Sequence, residues 1–526
     1  MRRRIWIAVL VVAALALAGR IAIVAQDLPQ TVTAAHFERL RTKDLPRLRD
    51  FLHHMPKGGD LHTHLSGAVY AERFIAWAMA DGLCLRKADL SIQPRPQGAP
   101  AELPCGTDPA LVPIAEAVAP GRGQNTYDLL VNSLSMRWFL ATPAIPSGHD
   151  QFFSTFGRFN AATGGTDWAT AFGRTAEMTV DQLRQYDATG VQYTELMVTL
   201  FEGDDRRRLA QAIAPETGPG PAQVGDPAAM LAALERAGLS QLVAKRTQQL
   251  KELIARIEAL LDCDAQRTRP GCGVTFRYIA QVNRNSPPAE VFAQTAFSVA
   301  LVRAAPGIVV GINYVGPEDY QISRRDYRTH MKWIGALAGK DVPVALHAGE
   351  LWLGLVPPED LDFHIRDAVE TAGARRIGHG TAIAFETDMN GLLEEMRRRN
   401  VTVEIALTSS DVILGIRGKE HPIITYLRAG VPLVLATDDA GVSRIDLGNE
   451  YFRAARDHAF DYRHLKMFAH NAISQSFLAE ADKTPEMEKL DRAYARFERS
   501  VYEAQPFTRK VVAVLRALAP GLPAWN

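Results

Sequence analysis

The sequence carries no excess of charge of either sign. Lys and Arg together number 59, and Asp and Glu also number 59, so the formal net charge is zero. A basic field able to hold a nucleic-acid backbone is therefore absent, and we expect no nucleic-acid partner. Hydrophobic residues make up 47% of the 526-residue chain, which is enough to bury a large core in one domain with insertions.

Cysteine is scarce, and no two cysteines have the C-x-x-C spacing of a cysteine-bound zinc site. The chain has four cysteines, namely Cys84, Cys105, Cys263 and Cys272. An even number is typical of disulfides in an oxidising compartment, and such a set allows three connectivities. Pairing Cys84 with Cys105 and Cys263 with Cys272 closes the shortest loops. Free, buried thiols are the alternative.

Long apolar runs are rare, and the one that stands out lies at the N-terminus. A positive segment, Met1–Arg4, precedes an apolar run from Ile5 to Gly19, which is shorter than the ~20 residues needed to span a bilayer. Small residues suited to cleavage follow it. We therefore expect residues 1–25 to be a signal peptide, or else an uncleaved N-terminal anchor, and the protein to be periplasmic or secreted. Membrane contact is expected only through that segment, if at all.

Internal repeats are also absent, and the rest of the chain divides by composition. Residues 26–54 have apolar side chains three and four positions apart, which predicts a helical lead-in. Residues 55–515 are assigned to one large domain. A stretch rich in Pro and Gly within it predicts a long insertion over about residues 85–150. This insertion could cover a functional site of the domain or form a contact in a homodimer, and both interpretations stay open.

Short runs rich in β-branched residues alternate with helical patterns along the large domain. The runs are residues 59–65, 191–198, 274–282, 308–315, 342–347, 376–379, 401–407 and 432–437. This alternation predicts a parallel sheet, and eight strands favour closure into a TIM (β/α)8 barrel with a long insertion after strand one. A doubly wound open sheet is the alternative. It usually has a Gly-rich phosphate turn after its first strand, where this sequence has His62-Thr63-His64.

Histidines and aspartates stand at the predicted carboxyl ends of four of these strands. His62 and His64 are two positions apart in a strand, so their side chains point to the same face. The carboxyl ends of barrel strands surround one mouth, where imidazoles and a carboxylate suit Zn2+ and leave a position open for water. Each motif alone is typical of a surface pair, a turn or a helix cap. Together, buried without partners, they would cost several kcal/mol, which a metal removes. The other residues are His347 and His379, which end strands five and six, and Asp438 and Asp439, which follow strand eight.

These motifs resemble those of the adenosine deaminase family in the amidohydrolase superfamily. The matching segments are His62-Thr63-His64, His347-Ala348-Gly349-Glu350, Gly378-His379-Gly380 and Thr437-Asp438-Asp439, and they follow the family's order. The start Met55-Pro56-Lys57-Gly58, together with the export signal, is similar to the secreted, growth-factor-related branch. The resemblance implies zinc-dependent hydrolysis of the 6-amino group of adenosine, 2'-deoxyadenosine or a related 6-aminopurine, which releases ammonia.

The resemblance also implies a role for each residue. One zinc ion would be held by His62, His64, His347 and Asp438. Glu350 would serve the ring nitrogen N1, and Asp439 would bond the water or the purine. His379 would orient and help to deprotonate the attacking water, and a fifth metal ligand or part of a second metal site is the alternative for it. The backbone of Gly316 would face the purine. The chemistry agrees, because protonating N1 makes C6 electrophilic, and this needs a carboxylic acid that burial keeps neutral.

Two departures from the family pattern bear on the substrate. Ser66 stands where the family usually has an acidic residue that contacts the ribose, so another amino-heterocycle or amide is a second candidate substrate. Ser409 and Ser410 replace the usual residues after strand seven, as either a helix cap or part of the site. A binuclear hydrolase would need a lysine on strand four, and none occurs there, which favours one metal. A secreted binding or signalling protein without turnover is the remaining alternative.

Overall fold

The computed structural model describes most of the chain and leaves the predicted signal peptide, residues 1–25, outside the described residues. The described part is residues 28–506 without residues 101, 122, 165–167, 202 and 215–224. Its strands are β1 (Gly58–His64), β2 (Cys84–Arg86), β3 (Ser91–Gln93), β4 (Leu111–Pro113), β5 (Val191–Val198), β6 (Thr275–Asn283), β7 (Val309–Val315), β8 (Ala345–Ala348), β9 (Arg376–His379), β10 (Thr402–Ile405) and β11 (Leu433–Leu435).

Helices separate the strands along the whole described chain. They are α1 (28–43), α2 (Leu45–His54), α3 (Ala71–Ala80), α4 (Ile114–Ala117), α5 (Gln124–Ser133), α6 (Gly148–Phe159), α7 (Trp168–Ala188), α8 (Gly203–Gln211), α9 (Pro227–Arg236), α10 (Leu239–Leu261), α11 (Pro288–Ala304), α12 (Gln321–Ala338), α13 (His364–Glu370), α14 (Met389–Arg398), α15 (Leu407–Leu414), α16 (Ile423–Arg428), α17 (Ala440–Ser443), α18 (Leu447–Asp457), α19 (Tyr462–Ser474) and α20 (Glu480–Ala504). Among the described helices, none combines the length and the hydropathy that a membrane span requires.

Parallel strands enclose the centre of the molecule in chain order. One sheet has the order β1-β5-β6-β7, and a second has the order β8-β9-β10-β11. Single parallel bridges join the two sheets at both seams, between Thr63 and Asp438 and between Ile312 and Val344. Strand β5 is buried at every position, as expected where helices cover the outer face of a parallel sheet. The prediction of a TIM (β/α)8 barrel is confirmed.

The last two barrel strands are shorter than the apolar runs predicted. The runs 401–407 and 432–437 contribute only Thr402–Ile405 and Leu433–Leu435. The chain already turns into α15 at Leu407, and at the other run the backbone soon reaches a left-handed conformation (φ 58°) at Asp438. Ser409 and Asp438 therefore lie beyond the ends of these strands, where their side chains can face the mouth of the barrel.

The insertion between β1 and β5 has its own small antiparallel sheet, in the order β3-β2-β4, together with helices α3 to α6. Cys84 and Cys105 form a disulfide within it, and Cys263 and Cys272 form a second disulfide just before β6. These are the two local pairings that close the shortest loops. The described residues contain no free cysteine, so the alternative of free thiols is wrong.

The end of the insertion runs across the mouth of the barrel. The peptide N–H of Met136 donates to the carbonyl of Val442, in the short helix α17 that follows β11, at 2.8 Å. Helix α6 begins against α15, and a Cβ at Gly148 would lie only 2.0 Å from a carbonyl oxygen of that helix. His149 Nε2 lies 3.0 Å from Asp319 Oδ1, in the loop after β7. β7 and β11 stand on opposite sides of the barrel. Residues 136–149 contact the chain after both strands, so this segment lies over the strand ends.

Asp60 holds the seam between β1 and β11. Its carboxylate accepts hydrogen bonds from the Thr437 hydroxyl at 2.6 Å and from the Tyr186 hydroxyl at 2.9 Å. It also accepts from the peptide N–H groups of Thr437 and His62. Burial raises the pKa of Asp60 to about 6 against the effect of these donors. The side chain thus adds to the backbone hydrogen bonds that join β1 to Asp438 and fixes the residue that precedes Asp438.

Replacing Asp60 with alanine is expected to lower the free energy of unfolding by about 3 kcal/mol or more. The hydroxyls of Thr437 and Tyr186 would lose their acceptor in the interior, and each unsatisfied buried group costs about 1–3 kcal/mol. Denaturant unfolding of variant and parent measures the loss. Asp44→Ala, which removes the N-cap of α2, is the control and should cost about 1 kcal/mol. A loss for Asp60→Ala no larger than that of the control would contradict this role.

Candidate active site

Histidines and an aspartate from separated segments converge at the carboxyl ends of the barrel strands. His62 and His64 come from β1, His347 from β8 and His379 from β9, and Asp438 follows β11. One ligand atom each of His62, His347, His379 and Asp438 lies within 4.8 Å of all the others. His64 Nε2 lies 3.2 Å from His347 Nε2 and 3.3 Å from Asp438 Oδ1. The fold therefore brings the predicted metal-binding residues to one point.

Side-chain oxygens fix the orientation of the imidazoles that carry the predicted ligand nitrogens. The pairs are His62 Nδ1 with Glu404 (2.7 Å), His64 Nδ1 with Gln281 (3.3 Å) and His347 Nδ1 with Asn313 (2.8 Å). An acceptor at Nδ1 keeps the proton on that nitrogen and leaves the lone pair of Nε2 free. In His64 and His347 the two free Nε2 atoms face each other. Neither has a proton to offer the other, which is the arrangement of two ligands to one cation.

Polar atoms buried in this cluster lack hydrogen-bond partners within the described residues. They are His62 Nε2, His379 Nδ1 and Nε2, Glu350 Oε1, Asp438 Oδ1 and Asp439 Oδ1. Each such atom costs about 1–3 kcal/mol if it stays unpaired in the interior. A divalent cation satisfies nitrogen and carboxylate lone pairs together, and this mixture of ligands suits zinc. The residues present therefore fit a metal ion.

The charges around the cluster also favour a cation at its centre. Burial opposes protonation of His62, but Asp438 and Glu404 outweigh burial and raise the pKa of His62 to about 10. At His347, burial and the neighbouring imidazoles hold the pKa well below its usual value. The carboxylates thus attract positive charge, while the imidazoles cannot all be protonated together. One shared cation meets both conditions.

Backbone strain marks two residues of the cluster. His379 and Asp438 have left-handed backbones, with φ 68° and φ 58°, which β-carbon sterics disfavour. Such residues cost about 1–3 kcal/mol each and persist where the surroundings hold them. The peptide N–H of Asp438 donates to the carbonyl of His62 at 2.9 Å, and the N–H after His379 donates to the carbonyl of Ala348 at 3.1 Å. The turns that direct both side chains toward the centre are therefore held by neighbouring strands.

Glu350 stands beside the cluster with the properties of a proton donor. Its Oε1 lies 3.6 Å from His379 Nδ1, and the side chain is buried. Burial, followed by the charges of Asp438 and Glu318, raises the pKa of Glu350 well above its usual value. Burial also lowers the pKa of His379 to about 4. These shifts favour a protonated carboxyl group next to a neutral imidazole, a donor and an acceptor side by side.

Asp438 and Asp439 are neighbours with opposite protonation tendencies. Burial opposes ionisation of Asp438, but the adjacent imidazoles of His62 and His64 outweigh it and hold the pKa of Asp438 well below its usual value. At Asp439, burial and the charge of Asp438 raise the pKa. Gly67 leaves room for the Asp439 side chain, since a Cβ at this glycine would lie 1.5 Å from Asp439 Oδ1. The environment therefore favours the anionic form of Asp438 and the neutral form of Asp439.

The predicted substrate contacts lie around the same mouth. Gly316 follows β7 with φ 93°, a backbone conformation that favours glycine, and Ser66 is half-buried two residues after His64. Ser409 Oγ donates to Asp438 Oδ2 at 2.7 Å. Helix α15 has Ala406 as its N-cap, without a side-chain cap bond, so the interpretation of Ser409 and its neighbour as a helix cap is wrong. Ser409 instead holds the second oxygen of Asp438.

Sequence reasoning missed the acceptors behind the imidazoles. Glu404 is fully buried in β10, and its Oε1 lies 2.5 Å from the guanidinium of Arg376. Arg376 also pairs with Glu195, so an alternating row of charges crosses the barrel interior behind His62. The sequence did contain a sign of these acceptors, because Glu404 and Asn313 are strongly polar residues within the otherwise mostly apolar strand runs 401–407 and 308–315. Nothing in the sequence indicated which histidine each would face.

Comparison with known proteins finds adenosine deaminases. Residues 242–493 match the family model described as adenosine deaminase. The aminodeoxyfutalosine deaminase of Streptomyces coelicolor is 32% identical over 190 residues, which are 36% of this chain and 45% of that protein. The adenosine deaminase of Enterococcus faecalis is 32% identical over 161 residues, or 30% and 44% of the two chains. Adenosine deaminase 2 of Homo sapiens is 27% identical over 230 residues, or 43% of each. The matched segments span less than half the length of each relative.

Solved structures extend the likeness of the fold over most of the chain. The N6-mAMP deaminase of Arabidopsis superimposes with a TM-score of 0.52 at 18% identity and covers 84% of this chain and 99% of its own. An amidohydrolase from Burkholderia ambifaria, determined with bound Zn, gives a TM-score of 0.52 at 16% identity and covers 87% and 95%. At these identities the likeness concerns the fold, and it agrees with the barrel described above.

Proposed function

Because the chain carries an adenosine deaminase domain, matched over residues 242–493, we propose that it is a zinc-dependent aminohydrolase. It replaces the 6-amino group of adenosine, 2'-deoxyadenosine or a related 6-aminopurine with oxygen and releases ammonia. The observation that carries the proposal is the convergence of His62, His347, His379 and Asp438 at one mouth of the barrel, with the buried carboxyl group of Glu350 beside them.

One zinc ion is held by His62, His64, His347 and Asp438 in this proposal. The support is the set of free Nε2 lone pairs and the unpartnered Oδ1 of Asp438. When bound, zinc acts as a Lewis acid that lowers the pKa of a coordinated water towards 7. The chain's own part is to keep the imidazoles in the correct tautomer, which the acceptors at Nδ1 do.

Glu350 supplies the proton that makes the purine reactive. C6 of an aminopurine is a poor electrophile because the ring is aromatic. Transfer of the carboxyl proton to N1 breaks that aromaticity, so that water oxygen adds to C6 while Glu350 becomes a carboxylate. Collapse of the tetrahedral adduct then breaks the bond from C6 to the amino nitrogen, which takes the proton that His379 removed from the water and leaves as ammonia. The hydroxyl proton of the adduct returns to Glu350 as the carbonyl forms. The raised pKa of Glu350 keeps the needed proton in place at neutral pH.

His379 and Asp439 act on the water and the leaving group. His379 is neutral because burial lowers its pKa to about 4, and both of its ring nitrogens lack partners in the described residues. It therefore has a lone pair to accept a proton from the attacking water. Asp439 has an unpartnered oxygen beside the anionic Asp438, and it orients the water or the purine by a hydrogen bond.

Export is part of the same proposal. A disulfide closes the insertion and another precedes β6, and such bonds persist in oxidising compartments. Together with the signal-like segment at residues 1–25, they favour action in the periplasm or outside the cell. There the enzyme would act on external purines. Expression with an intact N-terminus, followed by fractionation, tests this location.

A purine panel tests the activity itself. The purified protein is incubated with adenosine, 2'-deoxyadenosine, AMP and adenine, and ammonia release is measured with zinc content determined in parallel. Ammonia from at least one 6-aminopurine, with about one zinc per chain, is the expected result. Bound zinc without release from any of them would favour another amino-heterocycle or amide, the second candidate that Ser66 suggests. Absence of both would favour a binding protein.

Ser66 is expected to control recognition of the sugar. Replacing it with aspartate restores the charge that the family usually has there, and a charge-assisted hydrogen bond adds about 1.5–3 kcal/mol. The KM for adenosine should then fall roughly 10-fold, with little change for adenine, which has no ribose. Initial rates on both substrates check this. An equal change for adenine would show that residue 66 does not read the sugar.

A further inference from the structure

A buried carboxylate with no role in the mechanism above lies beneath the turn that carries Glu350. Glu318 follows β7, and its side chain is only 1% exposed. One oxygen accepts a hydrogen bond from the peptide N–H of Gly349 at 3.1 Å, and the other accepts from the peptide N–H of Glu350 at 2.8 Å. Water does not reach this site to compete, so the two bonds directly fix the backbone at the proton donor.

The conformation of Gly349 makes this pair of hydrogen bonds possible. Its φ of 70° lies in the left-handed region, and such a residue turns successive N–H groups toward one concave side where an anion fits. A Cβ at this position would lie 2.7 Å from atoms of the Ile365 side chain, so a larger residue would also collide. The turn after His347 is therefore built around the carboxylate of Glu318.

Cationic and polar groups keep Glu318 ionised and extend its reach. His364 Nδ1 lies 2.6 Å from Glu318 Oε1, and the Arg284 guanidinium lies 3.9 Å from it. Burial opposes ionisation, but these groups and the N–H of Glu350 lower the pKa of Glu318. Arg284 also donates to the carbonyl of His347 at 3.2 Å. Arg284 and Glu318 thus form one ion pair that holds the main chain at two points: Arg284 at the carbonyl of His347 and Glu318 at the N–H of Glu350.

We propose that Glu318 is a positioning residue for the proton transfer to the substrate ring. By holding the peptide N–H groups of Gly349 and Glu350, it directs the Glu350 carboxyl to the point where the ring nitrogen arrives. Glu318 touches no reacting atom and acts through Glu350 alone. This inference rests on the proposed function for its kinetic consequences, but its structural basis is independent of the substrate.

Glu318→Gln is the first variant to make, because it keeps the size of the side chain. The amide has one acceptor oxygen in place of two, and its NH2 group faces a peptide N–H. We expect kcat to fall about 10–100-fold, as is usual when a partner that orients a reacting group is lost. KM should stay within about threefold, and zinc content should not change. Glu386→Gln is the matched control, since Glu386 is also buried and accepts from two successive peptide N–H groups, those of Ile365 and Arg366.

A double-mutant cycle separates positioning from general stability. If Glu318 acts through Glu350, adding Glu318→Gln to Glu350→Gln should cause no further fall in kcat. If the two losses multiply, Glu318 acts by another route and the proposal is overturned. A fall in kcat for Glu386→Gln equal to that for Glu318→Gln would overturn it as well.

Crystal structures of the parent and of Glu318→Gln test the inference without any turnover. We expect the Glu350 carboxyl to move away from His379 Nδ1 while His62 and His64 stay in place. A Glu350 side chain that keeps its position would overturn the proposal, whatever the activity. A displaced Glu350 in a protein whose parent deaminates none of the purines would support the positioning role and contradict the proposed function instead.

Discussion

Replacing Glu350 with glutamine is expected to lower kcat by about 10²–10⁴-fold while leaving zinc content and folding unchanged. The carboxyl is buried beside His379, and burial with the nearby carboxylates keeps it protonated. An amide has the same shape but is far too weak an acid to protonate a ring nitrogen, and general acid catalysis contributes rate factors of about this size. Steady-state kinetics on the best purine, with zinc analysis of the same sample, measures both quantities.

The neighbouring Glu359 provides a matched control for this experiment. It lies exposed in the loop that follows β8, nine residues after Glu350. Glu359→Gln should therefore turn over at the parent rate. If Glu350→Gln also turned over at that rate, the proton would have to come from another group, and Asp439, whose pKa is likewise raised by burial, would be the next candidate.

Replacing His347 with alanine is expected to remove both the metal and the activity. Its Nε2 lies 3.2 Å from His64 Nε2, and its Nδ1 is held by Asn313, so the variant loses a nitrogen that faces the proposed metal position. A metal supplies several kcal/mol of transition-state stabilisation, which corresponds to a loss of roughly 10³-fold or more. Zinc per chain by elemental analysis and ammonia release from the best purine are the two measurements.

His330→Ala controls for the effect of a cavity at a buried histidine. His330 is also buried, but it packs against Trp333 and Tyr314. Its loss should cost stability without reducing the zinc content. Retention of zinc near the parent level in His347→Ala, or an equal loss of zinc in His330→Ala, would show that His347 is not a ligand.

The sequence was most informative at the strand ends. The predicted runs 342–347 and 376–379 end within one residue of the carboxyl ends of the observed strands. A histidine at the end of an apolar run is unusual in a barrel core, and it marked both strand ends. The resemblance to adenosine deaminases rested in part on the motifs that contain His347 and His379. The match of residues 242–493 to the family model confirms it. The sequence allowed three connectivities of the cysteines, and the structure contains the one that closes the shortest loops.

The groups that orient the site were beyond reach of the sequence. Glu318 acts on the turn after the neighbouring strand β8, whereas Glu404 lies next to His62 only because the sheet closes into a barrel. Glu404 on β10 meets His62 on β1, which is 342 positions away. The path of the insertion was equally hidden, since the hydrogen bond between His149 and Asp319 joins segments 170 positions apart. Composition marks such residues as unusual, but the contacts depend on the three-dimensional arrangement of the strands.

Diffraction at the zinc absorption edge, from crystals grown with the metal, tests the central claim most directly. The account predicts one anomalous peak per chain, in contact with His62, His64, His347 and Asp438 and close to Glu350. A peak elsewhere, two peaks at the mouth, or no peak from zinc-saturated protein would contradict it.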